Sequence, residues 1–387
     1  MILVCNPSLW GGEHAPVDAG ILATVRASYP DEEIYFFGEQ THIEQIQDQL
    51  GPAVAASISW RAIVPASRRA RYFRRLFRDV KILRNLLPIL RQNRGNLLLT
   101  VCPSTFLAAL KVFAPGDLPV QAVLHKVSSL VNGRRSRHPI RRIRQIRTTL
   151  TVLCNRKIQY LVLEESLREA ILERYPSLAG RIEVLEHPLP VNEGGIETVD
   201  LHLPIRLGFL GLVSEDKGFS LFTRVASEAA TKYGGRVEFH AIGRFSGTAK
   251  LPPGIESLAT KPGLERLSRS DFVEGVKRLH FIVCPHQVRS YRSSASGTLV
   301  DAIAWGKPLI ATRIPIFESM FNRFGDIGYL FRDELELREI IENIVSGVDR
   351  KHYLEQVHNI QKAKATRTPR ALAPAYRQLR ERVISQC

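Results

Sequence analysis

The sequence predicts two doubly wound α/β domains in tandem, each built on a parallel sheet. Short, continuous apolar runs alternate with amphipathic segments along most of the 387 residues, which is typical of buried parallel strands covered by helices. The alternation pauses once, between residues 187 and 204, where prolines and glycines follow one another without periodicity. Two units of this length fit the usual domain size of roughly 100–200 residues.

The strands are predicted from apolar runs and the helices from spacings of three and four. The predicted strands are 2–5, 34–37, 97–102, 120–124, 160–163, 182–185, 205–212, 237–242, 281–284, 308–312 and 328–331. Helical patterns cover 219–232, 271–278, 299–305, 335–345, 353–365 and 372–384.

Four segments follow from this pattern. We expect an N-terminal Rossmann-like domain at 1–190, a linker at 191–204 and a C-terminal Rossmann-like domain at 205–368. Residues 369–387 follow Pro369 and form a final helix that is free to pack on the N-terminal domain. Because ligands of open α/β sheets bind beyond the carboxyl ends of the strands, we expect the two domains to face each other across a ligand cleft.

The composition excludes several classes of protein. Five cysteines without a C-x-x-C pair argue against a disulfide framework or a cysteine zinc site; Cys5, Cys102 and Cys284 end apolar runs and are expected to be buried. No apolar stretch approaches the roughly 20 residues of a membrane span. The N-terminus has no positively charged leader. A cytoplasmic location is the resulting expectation.

Positive charge is concentrated in two segments. Residues 61–94 contain eleven Lys/Arg and one acid, Asp79, and residues 126–157 contain ten Lys/Arg and no acid. Because the whole chain has a net charge of +16, the residues outside these two segments have a net charge of −4. The first segment has a helical apolar stripe that Pro88 should kink or end. The stripe consists of Phe73, Leu76, Phe77, Val80, Leu83, Leu87 and Leu90.

Three interpretations of this charge compete. The first is a solvated helix face packed on its own domain. The second is adsorption to an anionic membrane surface, here the inner face of the membrane, where each basic residue contributes on the order of 1 kcal/mol. Nucleic-acid binding is disfavoured because no zinc-finger or RNP-type motif accompanies either segment and because aromatics are not interleaved through the second.

The first segment whose residues could bind a ligand or take part in a reaction is 207–218. A strand runs into a turn that contains Gly211, and Lys217-Gly218 stands just before the next helix. Backbone N–H groups at a helix start, together with an ammonium, can bind phosphate oxygens.

The second segment is 281–312, in which a buried strand is followed by a loop rich in Ser and Arg. Ser296 is a plausible helix cap, and Gly297 and Thr298 begin a helix whose N–H dipoles an anion could approach. Asp301, one turn later, could bind sugar hydroxyls beside a phosphate.

These two segments, in this order and spacing, resemble the donor half of GT-B glycosyltransferases. The closest resemblance is to the large retaining family, group 1, of bacterial polysaccharide and glycolipid synthesis. Lys217-Gly218, Asp301-Ala302 and Gly306-Lys-Pro308 match its pattern. The resemblance implies that the lysine contacts the nucleotide diphosphate and that Asp301 holds the ribose.

The sequence departs from that family at two positions. Leu212 stands where the family has arginine, and Ser293 stands where the family has its first acid. Arg244, Arg289 and Arg292 are candidates for the missing cation.

The N-terminal half carries looser matches. Gly11, Gly12, Glu13 and His14 follow the first strand, where the family has a Gly-Gly loop near the donor phosphates and the acceptor. His125 follows the strand 120–124, where the family has a histidine facing the transferred sugar. Each is otherwise an ordinary turn or strand-end residue.

The implied reaction moves a sugar from a nucleotide diphosphate to a hydroxyl of a saccharide or a lipid-linked acceptor. The resemblance implies a retaining enzyme with no metal and no cofactor besides the nucleotide-sugar co-substrate; in an inverting enzyme Glu13, His14 or His125 would be the base. A nucleotide-sugar epimerase of the same fold and an inactive GT-B scaffold, which Leu212 and Ser293 would explain, are the alternatives.

Overall fold

The computed structural model describes residues 1–67, 69–125, 127–133, 136–138, 145–152, 158–189, 200–245, 255–260, 267, 269–347 and 349–386. The chain divides into two compact units, called unit 1 (Met1–Asn192 with Arg367–Cys387) and unit 2 (Glu193–Thr366). Most of the predicted linker, 191–204, and much of the basic segment 126–157, including Arg134, Arg135 and 141–144, lie outside the described residues.

Unit 1 is built on a seven-stranded parallel sheet of order β3-β2-β1-β4-β5-β6-β7. Its strands are β1 Ile2–Cys5, β2 Ile34–Gly38, β3 Ser59–Ala62, β4 Asn96–Leu99, β5 Val120–Val123, β6 Ile158–Val162 and β7 Ile182–Val184. Its helices are α1 Ala15–Ser28, α2 Gln40–Leu50, α3 Pro52–Ala56, α4 Tyr72–Gln92, α5 Ser104–Phe113, α6 Val127–Val131, α7 Ile146–Val152 and α8 Glu165–Arg174.

Unit 2 is built on a six-stranded parallel sheet of order β10-β9-β8-β11-β12-β13. Its strands are β8 Ile205–Val213, β9 Val237–Phe245, β10 Ile255–Thr260, β11 Phe281–Cys284, β12 Leu309–Thr312 and β13 Gly328–Phe331. Its helices are α9 Phe219–Tyr233, α10 Arg269–Lys277, α11 Val288–Tyr291, α12 Gly297–Trp305, α13 Pro315–Phe324, α14 Glu334–Ser346 and α15 Arg350–Thr366.

The two strand orders share one property that positions the sites. Each sheet grows outward in one direction from its first strand and then, at the fourth, in the other. The reversal lies between β1 and β4 in unit 1 and between β8 and β11 in unit 2. A crevice opens at such a reversal beyond the carboxyl ends of the two strands, and ligands of doubly wound folds bind there.

The last helix, α16 Pro369–Ser385, returns to unit 1 and packs against α1. Its entry is anchored by Arg367, which is fully buried and forms a bidentate ion pair with Glu164, with N–O distances of 2.6 and 2.7 Å. Loss of one partner of such a buried pair costs about 3–5 kcal/mol, because the other charge stays desolvated. Arg380 makes a similar pair with Glu32 further along the helix.

The predicted apolar stripe of α4 is only half correct. Leu83, Leu87 and Leu90 are buried, whereas Phe73 and Phe77, in the first two turns, are 59% and 79% exposed. The helical periodicity is correct, but the apolar face of the first two turns is not covered by the rest of unit 1 as the later turns are.

Pro88 was predicted to kink or end α4, and the second of these alternatives is wrong. The helix continues to Gln92 with the proline inside it. Pro88 is exposed, so water can bind the carbonyl that the missing N–H leaves open.

Two sheet-edge strands, β3 and β10, were not predicted. Ser59–Ala62 is mostly exposed and lacks the apolar run that marked the other strands.

The three cysteines that end apolar runs are buried as predicted: Cys5, Cys102 and Cys284.

Candidate functional site

The reversal point of unit 2 brings together most residues of the two predicted segments. Lys217 closes a 3-10 turn, Glu215–Lys217, after β8, and Gly218 is the N-cap residue of α9. After β11 the chain passes through a polar loop to Ser296, which caps α12. Because β8 and β11 are neighbours, both turns lie at the same edge of the sheet.

Lys217 lies at the centre of this edge. Its Nζ donates to the carbonyl oxygen of Leu210 at 3.2 Å and to Oγ1 of Thr298 at 2.9 Å. Burial lowers the pKa of the ammonium, although the nearby carboxylate of Asp301 acts in the opposite direction. The hydrogen-bond acceptors of this cation are neutral oxygens, so an arriving anion would find a partly desolvated positive charge.

Two glycines make room for this arrangement. Gly211 has φ +89°, and a Cβ there would lie 2.7 Å from the Lys217 Nζ. Gly218 has φ +75°, and its Cβ would lie 1.7 Å from the carbonyl oxygen of Pro285. Both backbone conformations are ones that residues with a Cβ rarely adopt, so only glycine allows the two turns to approach each other.

The N-terminus of α12 is capped on one side and open on the other. Ser296 Oγ accepts from the backbone N–H of Leu299 at 3.3 Å and contacts Nε2 of the buried His286 at 3.0 Å. A Cβ on Gly297 would meet nothing within 4 Å. Gly297 is therefore open at the first position of the helix, next to Thr298, whose hydroxyl accepts from the Lys217 ammonium, an arrangement suited to a phosphate.

The remaining predicted residues of this half occupy different environments. Asp301 is half-buried one turn into α12, and Ser293 is buried. Arg292, at the end of α11, is exposed. Arg244 is exposed on β9 directly beside Leu212, its partner in the β8–β9 register. Side chains of directly paired residues share one face of a sheet, so the side chains of Arg244 and Leu212 lie on the same face.

The reversal point of unit 1 contains a cavity of 660 Å³. It lies between the turns that follow β1, β4 and β5 and the first turn of α4. Its polar lining consists of Ser8, Glu13, His14, Tyr72, Arg75, Ser104, Thr105 and His125. The loop 10–14, called the glycine loop from here on, forms one wall.

His125 is held as a neutral side chain in this wall. Its Nε2 donates to the carbonyl oxygen of Thr100 at 2.6 Å, which leaves Nδ1 as an acceptor. Burial, with a further contribution from His14, lowers the pKa of His125 to about 4. The rings of His14 and His125 meet edge to face, with centroids 5.0 Å apart.

The glycine loop is fixed by residues that the sequence analysis did not identify. Gly11 has φ +55° and its peptide is bound by side chains of Glu39 and His42. Gly12 accepts from the backbone N–H of Ala15 at 3.4 Å as α1 begins. The spacing of Glu39 and His42 marks only the start of a helix, and nothing in the sequence shows that both residues reach back to the loop.

No protein-family model and no curated protein matches the sequence. Solved structures match along its whole length. A glycosyltransferase from Rickettsia africae ESF-5 has a TM-score of 0.65 at 13% identity, over 100% of this chain and 99% of its own. This chain has the GT-B fold.

Other GT-B structures agree. HepE from Anabaena, solved with UDP and glucose, has a TM-score of 0.63 at 13% identity, over 98% of both chains. WaaG, a glycosyltransferase involved in lipopolysaccharide biosynthesis, has a TM-score of 0.59 at 10% identity, over 97% of this chain and 98% of its own. The predicted GT-B class of two doubly wound domains is therefore confirmed.

Proposed function

We propose that the protein is a glycosyltransferase that moves a sugar from a nucleoside-diphosphate donor to a hydroxyl group. The observation that carries the proposal is the convergence of the Lys217 ammonium and the open N-terminus of α12 at the reversal point of unit 2. A diphosphate fits this combination of a cation and free N–H groups. HepE, which shares the fold, has been solved with UDP-glucose, so UDP-glucose is the first donor to test.

The difficult step is departure of the diphosphate. The bond between the anomeric carbon and the β-phosphate oxygen breaks, and a bond from the acceptor oxygen to that carbon forms. Lys217 and the N–H groups of Gly297 and Thr298 stabilise the negative charge that develops on the leaving oxygen. Arg244 adds a second cation next to Leu212. These groups supply the positive charge without a metal ion.

The proton of the acceptor hydroxyl then needs a destination. In a retaining reaction it passes to the departing diphosphate, whose oxygens lie on the same face of the sugar. This requires no separate base, which agrees with a His125 side chain that is neutral and fixed by Thr100. Its free Nδ1 would accept a hydrogen bond from a hydroxyl of the transferred sugar or the acceptor.

The acceptor side has an amphiphilic surface. Phe73 and Phe77 are exposed one turn apart on α4, among the exposed Arg71, Arg74 and Lys81. The same helix contributes Tyr72 and Arg75 to the 660 Å³ cavity. Within the described residues, no helix is long and apolar enough to span a bilayer. From the exposed phenylalanines and the basic residues around them, we propose that α4 rests on an anionic membrane, at its cytoplasmic face, and that the acceptor is lipid-linked.

A thermal-shift panel of nucleoside diphosphates and nucleotide-sugars tests the donor half. Ligand at 100 times its Kd stabilises the native state by about 2.7 kcal/mol, so one base should raise the melting temperature by several degrees. Incubation of the matching nucleotide-sugar with and without a glycolipid acceptor then separates transfer from epimerisation. Absence of any shift across the panel would favour the scaffold alternative.

Vesicle sedimentation tests the membrane surface. Binding to vesicles with anionic lipid should exceed binding to neutral vesicles, and Phe73→Ser with Phe77→Ser should weaken it. The exposed Phe113, on α5, offers a matched control, since Phe113→Ser removes a comparable ring from another helix. Equal binding of all variants to both vesicle types would contradict the proposed membrane contact.

A further inference from the structure

The peptide of Gly11 is bound at both of its polar groups. Its N–H donates to Glu39 Oε2 at 3.2 Å, and its carbonyl oxygen accepts from His42 Nδ1 at 2.5 Å. Glu39 also caps α2 by accepting from the backbone N–H of His42 at 2.9 Å. One helix start therefore holds the glycine loop from two directions.

The second ring nitrogen of His42 faces a carboxylate. Nε2 lies 2.9 Å from Asp18 Oδ2, and the amide of Asn6 donates to the same oxygen at 2.6 Å. Asn6, Asp18 and His42 are all 0% exposed. The Asn6 amide nitrogen lies farther from Nε2, at 3.3 Å. A carbonyl oxygen and an ionised carboxylate can only accept, so we assign a proton to both ring nitrogens, which makes His42 an imidazolium.

The electrostatics agree with that assignment. Burial acts to lower the pKa of His42, but the hydrogen bond and the charge of Asp18 outweigh it, so the pKa is raised. The other charged group that faces the ring is Glu39, on the same helix start. The thiol of Cys5, on β1 near Asp18, stays neutral because burial and the Asp79 and Asp18 charges raise its pKa.

The glycine loop leads directly to the cavity. Glu13 and His14 line it, and the His14 ring contacts that of His125 at 5.0 Å between centroids. His14 has φ +57°, a strained conformation for a residue other than glycine. A shift of the Gly11 peptide would therefore move two groups of the cavity wall.

We propose that His42 is a positioning residue: its protonated ring, held by Asp18, clamps the Gly11 peptide and thereby places Glu13 and His14 in the acceptor cavity. The importance of that placement for sugar transfer rests on the proposed function. Because the clamp needs the charged ring, it is complete below the ordinary pKa of histidine and is lost as pH rises through the raised pKa of His42.

Trp10, in the glycine loop, allows the clamp to be measured without any substrate. In the full chain with Trp60→Phe and Trp305→Phe, the emission of Trp10 should change in one transition as pH rises through the raised pKa of His42. His42→Gln should abolish this transition. His187→Gln is the matched control: His187 is also buried in unit 1, but burial lowers its pKa to about 4, so the transition should persist.

Asp18→Asn is a second variant that keeps the volume of the site. Without the carboxylate the pKa of His42 falls, so the Trp10 transition should move to lower pH by at least one unit. The proposal would be overturned if the parent protein showed no transition, or if His42→Gln and Asp18→Asn both kept the transition of the parent.

Kinetics distinguish positioning from general destabilisation. His42→Gln should lower kcat/KM for the acceptor about tenfold and remove the alkaline limb of the pH profile, while the Kd for the nucleotide stays unchanged. An equal loss in kcat/KM and nucleotide affinity would overturn the positioning role. If the parent binds no nucleotide at all, the proposed function fails, but the Trp10 transition still tests the clamp.

Discussion

The reversal points of the two sheets have the same topology and different electrostatics. In unit 2 the cation Lys217 donates to neutral oxygens of Leu210 and Thr298 beside the exposed Gly297 at the start of α12. In unit 1 the buried His42, behind the glycine loop, is paired with Asp18, and His125, in the cavity wall, is neutral. We therefore expect the first crevice to bind the diphosphate and the second to bind sugar hydroxyl groups.

This difference assigns complementary tasks to two halves that share a fold. A diphosphate needs positive charge, and Lys217 supplies it next to the start of α12. A sugar hydroxyl needs fixed hydrogen-bonding groups, and the cavity of unit 1 offers His125 among them. Four predictions test this division of tasks.

The largest effect is expected at Lys217. Lys217→Ala should lower the rate of sugar transfer by about 100- to 1,000-fold, because a group that stabilises the leaving charge is lost. Lys232→Ala is the control, since Lys232 is an exposed lysine of the same unit that pairs with Glu342. Steady-state kinetics with equal melting temperatures for both variants would establish the effect; similar rates for the two would remove the phosphate role.

The second prediction compares two glycines at the same edge. Gly218→Ala should cost about 2–4 kcal/mol of stability, because φ +75° is strained and the Cβ would meet the Pro285 carbonyl. Gly297→Ala should change stability by less than about 0.5 kcal/mol, since its Cβ meets no neighbour.

Nucleotide affinity completes that comparison. The added methyl group of Gly297→Ala occupies the space where a phosphate would approach α12, so the Kd should rise about tenfold despite a normal fold. Denaturant unfolding and calorimetric titration measure the two quantities. A Gly297→Ala protein with parental affinity would move the phosphate away from this helix.

A smaller loss is expected at His125. His125→Ala should lower kcat by about tenfold to 100-fold and leave the Kd for the nucleotide unchanged, because the residue belongs to unit 1. His125→Asn, which keeps a polar group there, should recover part of the activity. Reduced nucleotide affinity with normal kcat would contradict the hydroxyl-binding role.

The smallest effect concerns acid stability. Burial lowers the pKa values of His125, His187 and His280 to about 4 and that of His286 to about 3. At these four histidines the unfolded chain binds more protons than the native chain between about pH 6.5 and 4, so their contribution to the melting temperature should fall as pH falls through this range. His280→Gln should flatten the slope and the exposed His358→Gln should not; identical slopes would refute the assignment.

The sequence pattern was most informative where strands are buried on both faces. The apolar runs of β1 and β11 predicted both boundaries, because a central parallel strand is apolar throughout. The edge strand β3 was missed because its residues face solvent on most sides. The exposure of Phe73 and Phe77 could not be predicted either, because helical spacing identifies the apolar face of a helix but not which residues pack against it.

The sites divide in a similar way. Lys217, Ser296 and Gly297 lie in turns after apolar strands, so the rule for parallel sheets places them together. His42 lies on a helix and meets Gly11 and Asp18 only through tertiary packing. No local pattern encodes that contact, and only the three-dimensional structure reveals it.

Calorimetric titration of a nucleoside diphosphate into the parent protein, Lys217→Ala and Lys232→Ala tests the central claim most directly. If unit 2 binds the diphosphate through Lys217 and α12, the parent and Lys232→Ala should bind with equal Kd, and Lys217→Ala should bind at least tenfold more weakly. Equal Kd values for all three proteins, or no binding to the parent, would contradict the assignment of the donor site.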